Sequence, residues 1–211
     1  PLQQKTAVNF SVLLDLVARE QPKIRIRFST SNPQDMSLDV IHTMAKHKNI
    51  CKSIHLPVQS GSNAILKKIN RGHTIEQLLW AIKYLYDNCF KVDIHIMPDL
   101  PGSNPELDKI MMLDIFQSPY FQPDYLKIYP CLDVQYTEIR KWKADGRWKP
   151  YAEQNKGRDL IDVVVFAKRL MPRWMRVNRV QRDFPVASEK NNQVGYVSNT
   201  CLLYTSPSPR D

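Results

Sequence analysis

Apolar residues recur at Val8, Val12, Leu13, Leu16 and Val17, a spacing that predicts an amphipathic helix over residues 8–19. Pro22 then breaks the pattern. Residues 24–28 alternate apolar and basic side chains, which predicts a strand over 23–29 that runs into the polar loop Ser29-Thr30-Ser31-Asn32-Pro33. Ser37 is placed to cap a helix over 38–46. A second strand, 53–58, ends in Gln59-Ser60-Gly61-Ser62, and Ser62 opens a short helix through Lys68. Thr74 and Gln77 form a capping box before a helix over 75–88. A third strand, 91–97, meets Pro98-Asp99-Leu100-Pro101-Gly102, and Pro105 stands in the first turn of a helix reaching Phe116. A fourth strand is expected over 124–130, and residues 136–143 and 160–170 read as helices.

Strands and helices thus alternate without hairpin signals, the pattern of βαβ units around a parallel sheet. Each strand ends in a polar loop at its C-terminal end, the side on which α/β barrels bind ligands. Four strands do not close a barrel. The fold class expected is therefore α/β, with an upstream portion missing or the sheet left open.

The chain has 211 residues and is 43% hydrophobic, a globular composition. No apolar run approaches the roughly 20 residues of a membrane helix, and no export signal follows the polar start at Pro1. A first residue other than Met suggests a missing start. The cysteines, Cys51, Cys89, Cys131 and Cys201, are far apart in sequence, so no metal-ligand spacing is present and no metal site is expected. Reduced thiols in a cytoplasmic protein are the expectation, with Cys51 and Cys89 as small apolar residues. The net charge of +9 is localised: between Arg140 and Arg182 stand thirteen Lys+Arg and four Asp+Glu, and the remainder is neutral. Such a segment is either a landing surface for a polyanion or a solvated helix face.

Two long motif sets carry resemblances. Ile24-Arg25-Ile26-Arg27-Phe28-Ser29-Thr30-Ser31-Asn32-Pro33 and His55-Leu56-Pro57-Val58-Gln59-Ser60-Gly61-Ser62 resemble the radical S-adenosylmethionine (radical-SAM) tRNA methylthiotransferases, over about residues 7–70. From Asn70-Arg71-Gly72-His73-Thr74 onward the chain resembles the catalytic subunit of Elongator, over about residues 70–200. Lys91 to Pro101, Lys127-Ile128-Tyr129-Pro130 and Arg179 to Pro185 carry that second likeness. It implies chemistry on the wobble uridine of tRNA with SAM and acetyl-CoA, and other Elongator subunits as partners. Two readings remain: a chimera with its junction near residues 65–74, or one divergent enzyme carrying both signatures. Cys201 to Asp211 looks like a translated sequencing adapter and is set apart from fold reasoning.

Together these imply a partial radical-SAM (β/α) barrel over 1–135, truncated at both ends, with a basic α-helical C-terminal extension over 136–200. Such enzymes hold a [4Fe–4S] cluster on a C-x₃-C-x₂-C loop, which this chain lacks, so no catalysis is expected of it alone. By the same analogy Ser29, Thr30, Gln59, Ser60, Met97 and Asp99 face SAM. Gln59 is equally readable as a plain loop amide, and Met97 as core. His55 and His95 read as buried, hydrogen-bonded strand residues. Lys127 lies opposite Leu126 and Ile128. It either points into the barrel toward an anion, as a catalytic residue, or snorkels outward. Lys141, Lys143, Arg173, Trp174, Arg176, Arg179 and Arg182 interleave cations with aromatics, as phosphate grip and base stacking require, and Trp142, Arg147 and Trp148 repeat the pattern. The alternative is an Arg-rich strand and helix pinned by local acids such as Asp183. A non-catalytic RNA-binding module is the rival reading.

Overall fold

The computed structural model describes residues 8–29, 32–134 and 136–180. Its centre is one four-stranded sheet in the order β1 (Ser53–Gln59), β2 (Lys91–Ile96), β3 (Tyr125–Ile128) and β4 (Arg176–Val180), every pair parallel. The helices are α1 (Phe10–Glu20), α2 (Leu38–Lys46), α3 (Asn63–Lys68), α4 (Ile75–Asp87), α5 (Pro105–Gln117), α6 (Glu138–Ala144) and α7 (Arg158–Leu170). The α/β reading and the parallel sheet are therefore observed, and among the described residues the sheet is open.

Local chemistry explains the helix starts. The Thr74 hydroxyl accepts from the Gln77 N–H while the Gln77 side chain accepts from the Thr74 N–H, the reciprocal box expected from sequence. Pro105 occupies the first turn of α5, and the Asn104 side chain caps it by accepting from Leu107 N–H. One face of the sheet is wholly apolar: Ile54, Leu56 and Val58, then Val92, Ile94 and Ile96, then Leu126 and Ile128. Helices α2, α4, α5 and α7 bury that face in one continuous core. A smaller cluster of Ile65, Leu100, Cys131 and Trp148 closes the C-terminal end of the sheet.

Three expectations are corrected. Residues 24–28 do not form a strand. Only Ile26 pairs, with Ile50, through Ile26 N–H to Asn49 O and Cys51 N–H to Ile26 O. This contact lies before β1 begins, and among the described residues no strand flanks the outer side. Second, the predicted apolar stripe of α1 faces outward. Leu14 and Ala18 are buried, while Val12, Leu13, Leu16 and Val17 are exposed. The helix is instead docked by polar contacts: Ser11 Oγ donates to Asp39 O, and Asp15 pairs with Lys46 and His47. Third, the basic segment is not purely helical, because Arg176–Val180 adds β4 to the sheet.

Candidate functional site

The other face of the sheet is polar. Period-two alternation places His55 and Gln59 of β1, Asp93 and His95 of β2, and Lys127 of β3 on the side away from the helices. Lys127 does meet an anion, but one from its own sheet. Its Nζ lies 2.7 Å from Asp93 Oδ2, and Asn178 Nδ2 donates to the same oxygen at 3.2 Å. Asn178 reaches it because β4 carries a bulge: Leu126 pairs with Val177 and Lys127 with Arg179, so Asn178 is the extra residue between. The second oxygen of Asp93 is buried without a hydrogen-bond partner.

Above this pair the rings of His55, His95 and Tyr129 form a row, with centroids 6.4 Å and 4.5 Å apart. Burial holds both imidazoles below their ordinary pKa. The charges of His55, Lys127 and Arg71 help bring His95 down to about 4. The His95 ring is thus neutral at physiological pH, and its Nε2 has no partner. The expectation that both histidines are hydrogen-bonded holds for His55, which bonds to the Ser29 backbone.

Gln59 ends β1 with φ at 67°, a left-handed conformation that a non-glycine residue adopts at a cost. Its backbone O accepts from Met97 N–H, which ties the ends of β1 and β2 together. Its side-chain Oε1 is buried and unpartnered. Unspent hydrogen-bonding capacity at Gln59, Asp93 and His95 on one face marks a place where a ligand's donors would complete the set.

The remaining expected residues divide. Met97 is half-buried against the Leu100 and Trp148 cluster. Ser60 is buried, and its hydroxyl accepts from Ser62 N–H in a local turn. Ser29 does not join Gln59, because its contact is with His55, four residues lower on the same strand. Thr30 lies outside the described residues, as do Arg182 and the adapter-like segment. Asp99 is no mouth residue. It is 1% exposed, and its two oxygens accept from Tyr151 and Ala152 N–H at 2.9 Å each. It pins the chain after β2 to the turn before α7.

The basic residues divide as well. Lys143 is largely buried between Asp133, at 3.0 Å, and Glu153, so its charge is spent on an internal ion-pair network. Trp148 belongs to the core, and Arg147 pairs with Asp145. Lys141 is exposed and paired with Glu138 on its own helix. Arg173, Trp174, Arg176 and Arg179 are exposed. Cys89 is exposed, contrary to its reading as an apolar filler, whereas Cys131 is buried.

The polar face of an open parallel sheet, with its strand C-termini gathered at one end, is the frame into which known proteins fall. The Radical SAM superfamily model matches residues 6–113, and the Radical_SAM C-terminal domain model matches residues 123–190. The chain belongs to the radical SAM superfamily. Among its relatives, the tRNA uridine(34) acetyltransferase of Methanocaldococcus jannaschii is 43% identical over 63% of this chain and 24% of its own length. The tRNA-2-methylthio-N(6)-dimethylallyladenosine synthase of Christiangramia forsetii is 63% identical over 42% of this chain and 19% of its own length. The solved structure of archaeal Methanocaldococcus infernus Elp3 with an N-terminal deletion superposes with a TM-score of 0.73. It is 37% identical and covers 83% of this chain and 39% of that one. This radical SAM chain thus spans about a quarter or less of the curated relatives' length.

The family implies SAM and a [4Fe–4S] cluster. The described thiols do not fit the cluster: Cys51 accepts a hydrogen bond from Arg25, Cys89 is on the surface and Cys131 is in the core, and no described group of residues is placed to hold a metal ion. SAM has a better fit, because the orphaned Gln59 Oε1 stands at the strand ends. Sequence reasoning missed Asp93 and Asn178. Asp93 was legible as an acid between Val92 and Ile94 in an otherwise apolar strand, whereas Asn178 depends on the β4 bulge.

Proposed function

We propose that this chain is the SAM- and substrate-facing part of a radical-SAM tRNA-modifying enzyme, most like the Elongator catalytic subunit, acting on the wobble uridine. The observation that carries this is the single polar face on which Gln59, Asp93 and His95 keep hydrogen-bonding atoms unspent. The identity of the chain to tRNA uridine(34) acetyltransferases supports the substrate. In this reading Gln59 holds SAM with Ser60 and Met97 beside it. Bound SAM would supply the radical chemistry of the family only where a [4Fe–4S] cluster held by other residues reduces it. Lys127 is the catalytic cation. It exchanges Asp93 for an anionic group of substrate or product, and Asn178 steadies the released carboxylate. Acetyl-CoA and other Elongator subunits belong to the longer parent, and the site of action is the cytoplasm. No helix of the described residues is long and apolar enough to cross a membrane.

A second reading, a methylthiotransferase acting on an N6-modified adenosine, is favoured by the 63% identity over 91 residues. The two combine if the chain is chimeric with its junction near residues 65–74. Junction residues fold back on β1: Arg71 donates to Pro57 O at 3.2 Å, and His73 is buried against Val58. Such contacts would keep two halves in one register.

The test uses the full chain. SAM should bind in equilibrium dialysis, and Gln59→Leu should weaken it about tenfold, the effect of losing roughly 1.4 kcal/mol. A tRNA bearing a wobble uridine should bind. After anaerobic addition of iron and sulfide the chain should show no stoichiometric cluster and leave SAM uncleaved. Failure to bind both SAM and tRNA overturns the reading, and SAM cleavage overturns the inactivity.

A further inference from the structure

The fold gathers charge that the sequence keeps apart. All four strands are parallel, so the residues that open them lie at one end of the sheet, the base. There a cleft of about 610 Å³ is lined by Arg25, Arg27, Cys51, Lys52, Ser53 and Lys91. Four cations and no acid line it. Among the described residues no carboxylate pairs with Arg25, Arg27 or Lys91. Arg25 Nε approaches Cys51 Sγ at 3.1 Å, and Lys91 Nζ stands 5.9 Å from the centre of the Tyr125 ring. Lys52 is committed elsewhere, since its ammonium donates to Met44 O and Ala45 O at the end of α2.

The base continues across the sheet. Lys91 N–H donates to Lys52 O, Asp124 N–H to Val92 O, and Arg176 N–H to Asp124 O, one rung per strand. Exposed Arg173 and Trp174 stand just before β4, with buried Met175 between, at this same end. One acid, Asp124, interrupts the row, and its carboxylate accepts from Val92 N–H. Three interstrand steps separate β1 from β4, roughly 14 Å. The base lies about 20 Å below Gln59, the length of β1 at about 3.3 Å per residue.

We propose that this base is a polynucleotide track, in which Arg25, Arg27 and Lys91 grip backbone phosphates in series with Arg173 and Arg176, while Trp174 stacks on a base. The inference rests on the RNA reading above and adds a site to it. Of the basic residues legible in the sequence, Arg173 and Arg176 stand at the end of the sheet remote from Gln59. They therefore hold the body of the RNA and not the nucleotide under reaction. Serial phosphate contacts fit a row of unpaired cations better than one small anion does, because each neutralised phosphate releases counterions.

The test is tRNA binding by the full chain over a range of salt, with Cys51 as a footprint. Bound tRNA should slow alkylation of Cys51 several-fold. The triple variant Arg25→Gln, Arg27→Gln, Lys91→Gln should lose at least tenfold in affinity and flatten the salt slope by about two to three units. It should also lose the Cys51 protection. The charge-keeping variant Arg25→Lys, Arg27→Lys, Lys91→Arg should bind as the parent does, which separates charge from any structural part played by Arg25. If the triple Gln variant folds and binds with the parent's slope while Arg173→Gln, Arg176→Gln loses binding, the track is overturned and the RNA reading stands. If the parent binds no tRNA, both fall. If inorganic phosphate at matched phosphate concentration protects Cys51 as well as tRNA does, the cleft is a small-anion pocket and the track is overturned.

Discussion

Lys127 on β3 reaches back across the sheet to Asp93 on β2, with Nζ 2.7 Å from Oδ2. The pair brings opposite charges into contact on the polar face, and the two side chains are 24% and 11% exposed. Removing charges this far from water is costly, and their attraction offsets that cost only while both are present.

Lys127→Met should therefore destabilise the chain by about 2 kcal/mol, less than the roughly 3–5 kcal/mol of a fully buried pair because water still reaches it. The second oxygen of Asp93 already lacks a partner, so the variant leaves that carboxylate on Asn178 alone. Adding Asp93→Leu should recover more than half of the loss. Urea unfolding of the two single variants and the double gives the coupling. Simple additivity would show that the pair does not act as a unit.

Lys143 carries a different expectation from the one its sequence neighbourhood suggests. It sits between Asp133 and Glu153 with little exposure. Lys143→Ala should lower stability by about 1–3 kcal/mol and leave tRNA affinity within about twofold of the parent. A large loss of tRNA binding with an unchanged melt would return Lys143 to the RNA contacts.

Two tryptophans in the basic third should respond in opposite ways. Trp174 is 57% exposed beside β4, and Trp148 is 5% exposed against Leu100 and Cys131. Trp174→Ala should cost about 1–3 kcal/mol of RNA binding and little stability. Trp148→Ala should cost about 3–5 kcal/mol of stability through the cavity it leaves. Thermal melts alongside binding isotherms separate the two, and a Trp174 variant with unchanged RNA affinity would remove stacking from the account.

Legibility followed periodicity. The strands β1, β2 and β3 and the Thr74 capping box could be read because their signals are local: alternation of two, and a hydroxyl three residues before an amide. The outward turn of α1 could not, since Ser11, Asp15 and their partners on α2 outweigh the apolar stripe only once both helices are placed. β4 was legible only as the alternative of an Arg-rich strand, because its exposed arginines carry no apolar alternation and the β3 edge that needs a partner is distant in sequence. Gln59 stood out in the sequence because a polar residue follows an apolar strand directly, and its side-chain oxygen is buried without a partner. Asp99 was misread for the same reason, as its two backbone donors come from residues more than fifty positions away.

Asp99 also sets a pH dependence. Burial raises its carboxyl from 3.8 to about 7, against two backbone N–H bonds that favour the charged form. Asp108 beside it is raised too, chiefly by burial, while accepting from Ser103, Tyr151 and the Asp99 N–H. Between pH 3.8 and about 7 the folded chain therefore binds more protons than the unfolded one at Asp99, so this contribution to stability is full below that window and lost as pH rises through it. His95 works the other way. Its ring is held neutral down to about 4 against an ordinary 6.5, so its contribution grows as pH rises between those values. Asp99→Asn copies the neutral carboxyl and removes its titration. Compared by urea unfolding at about pH 5 and about pH 7.5, the variant should lose less stability with rising pH than the parent does. If both chains change by the same amount, the titrating group lies elsewhere and Asp99 is ionised throughout, held by the N–H groups of Tyr151 and Ala152.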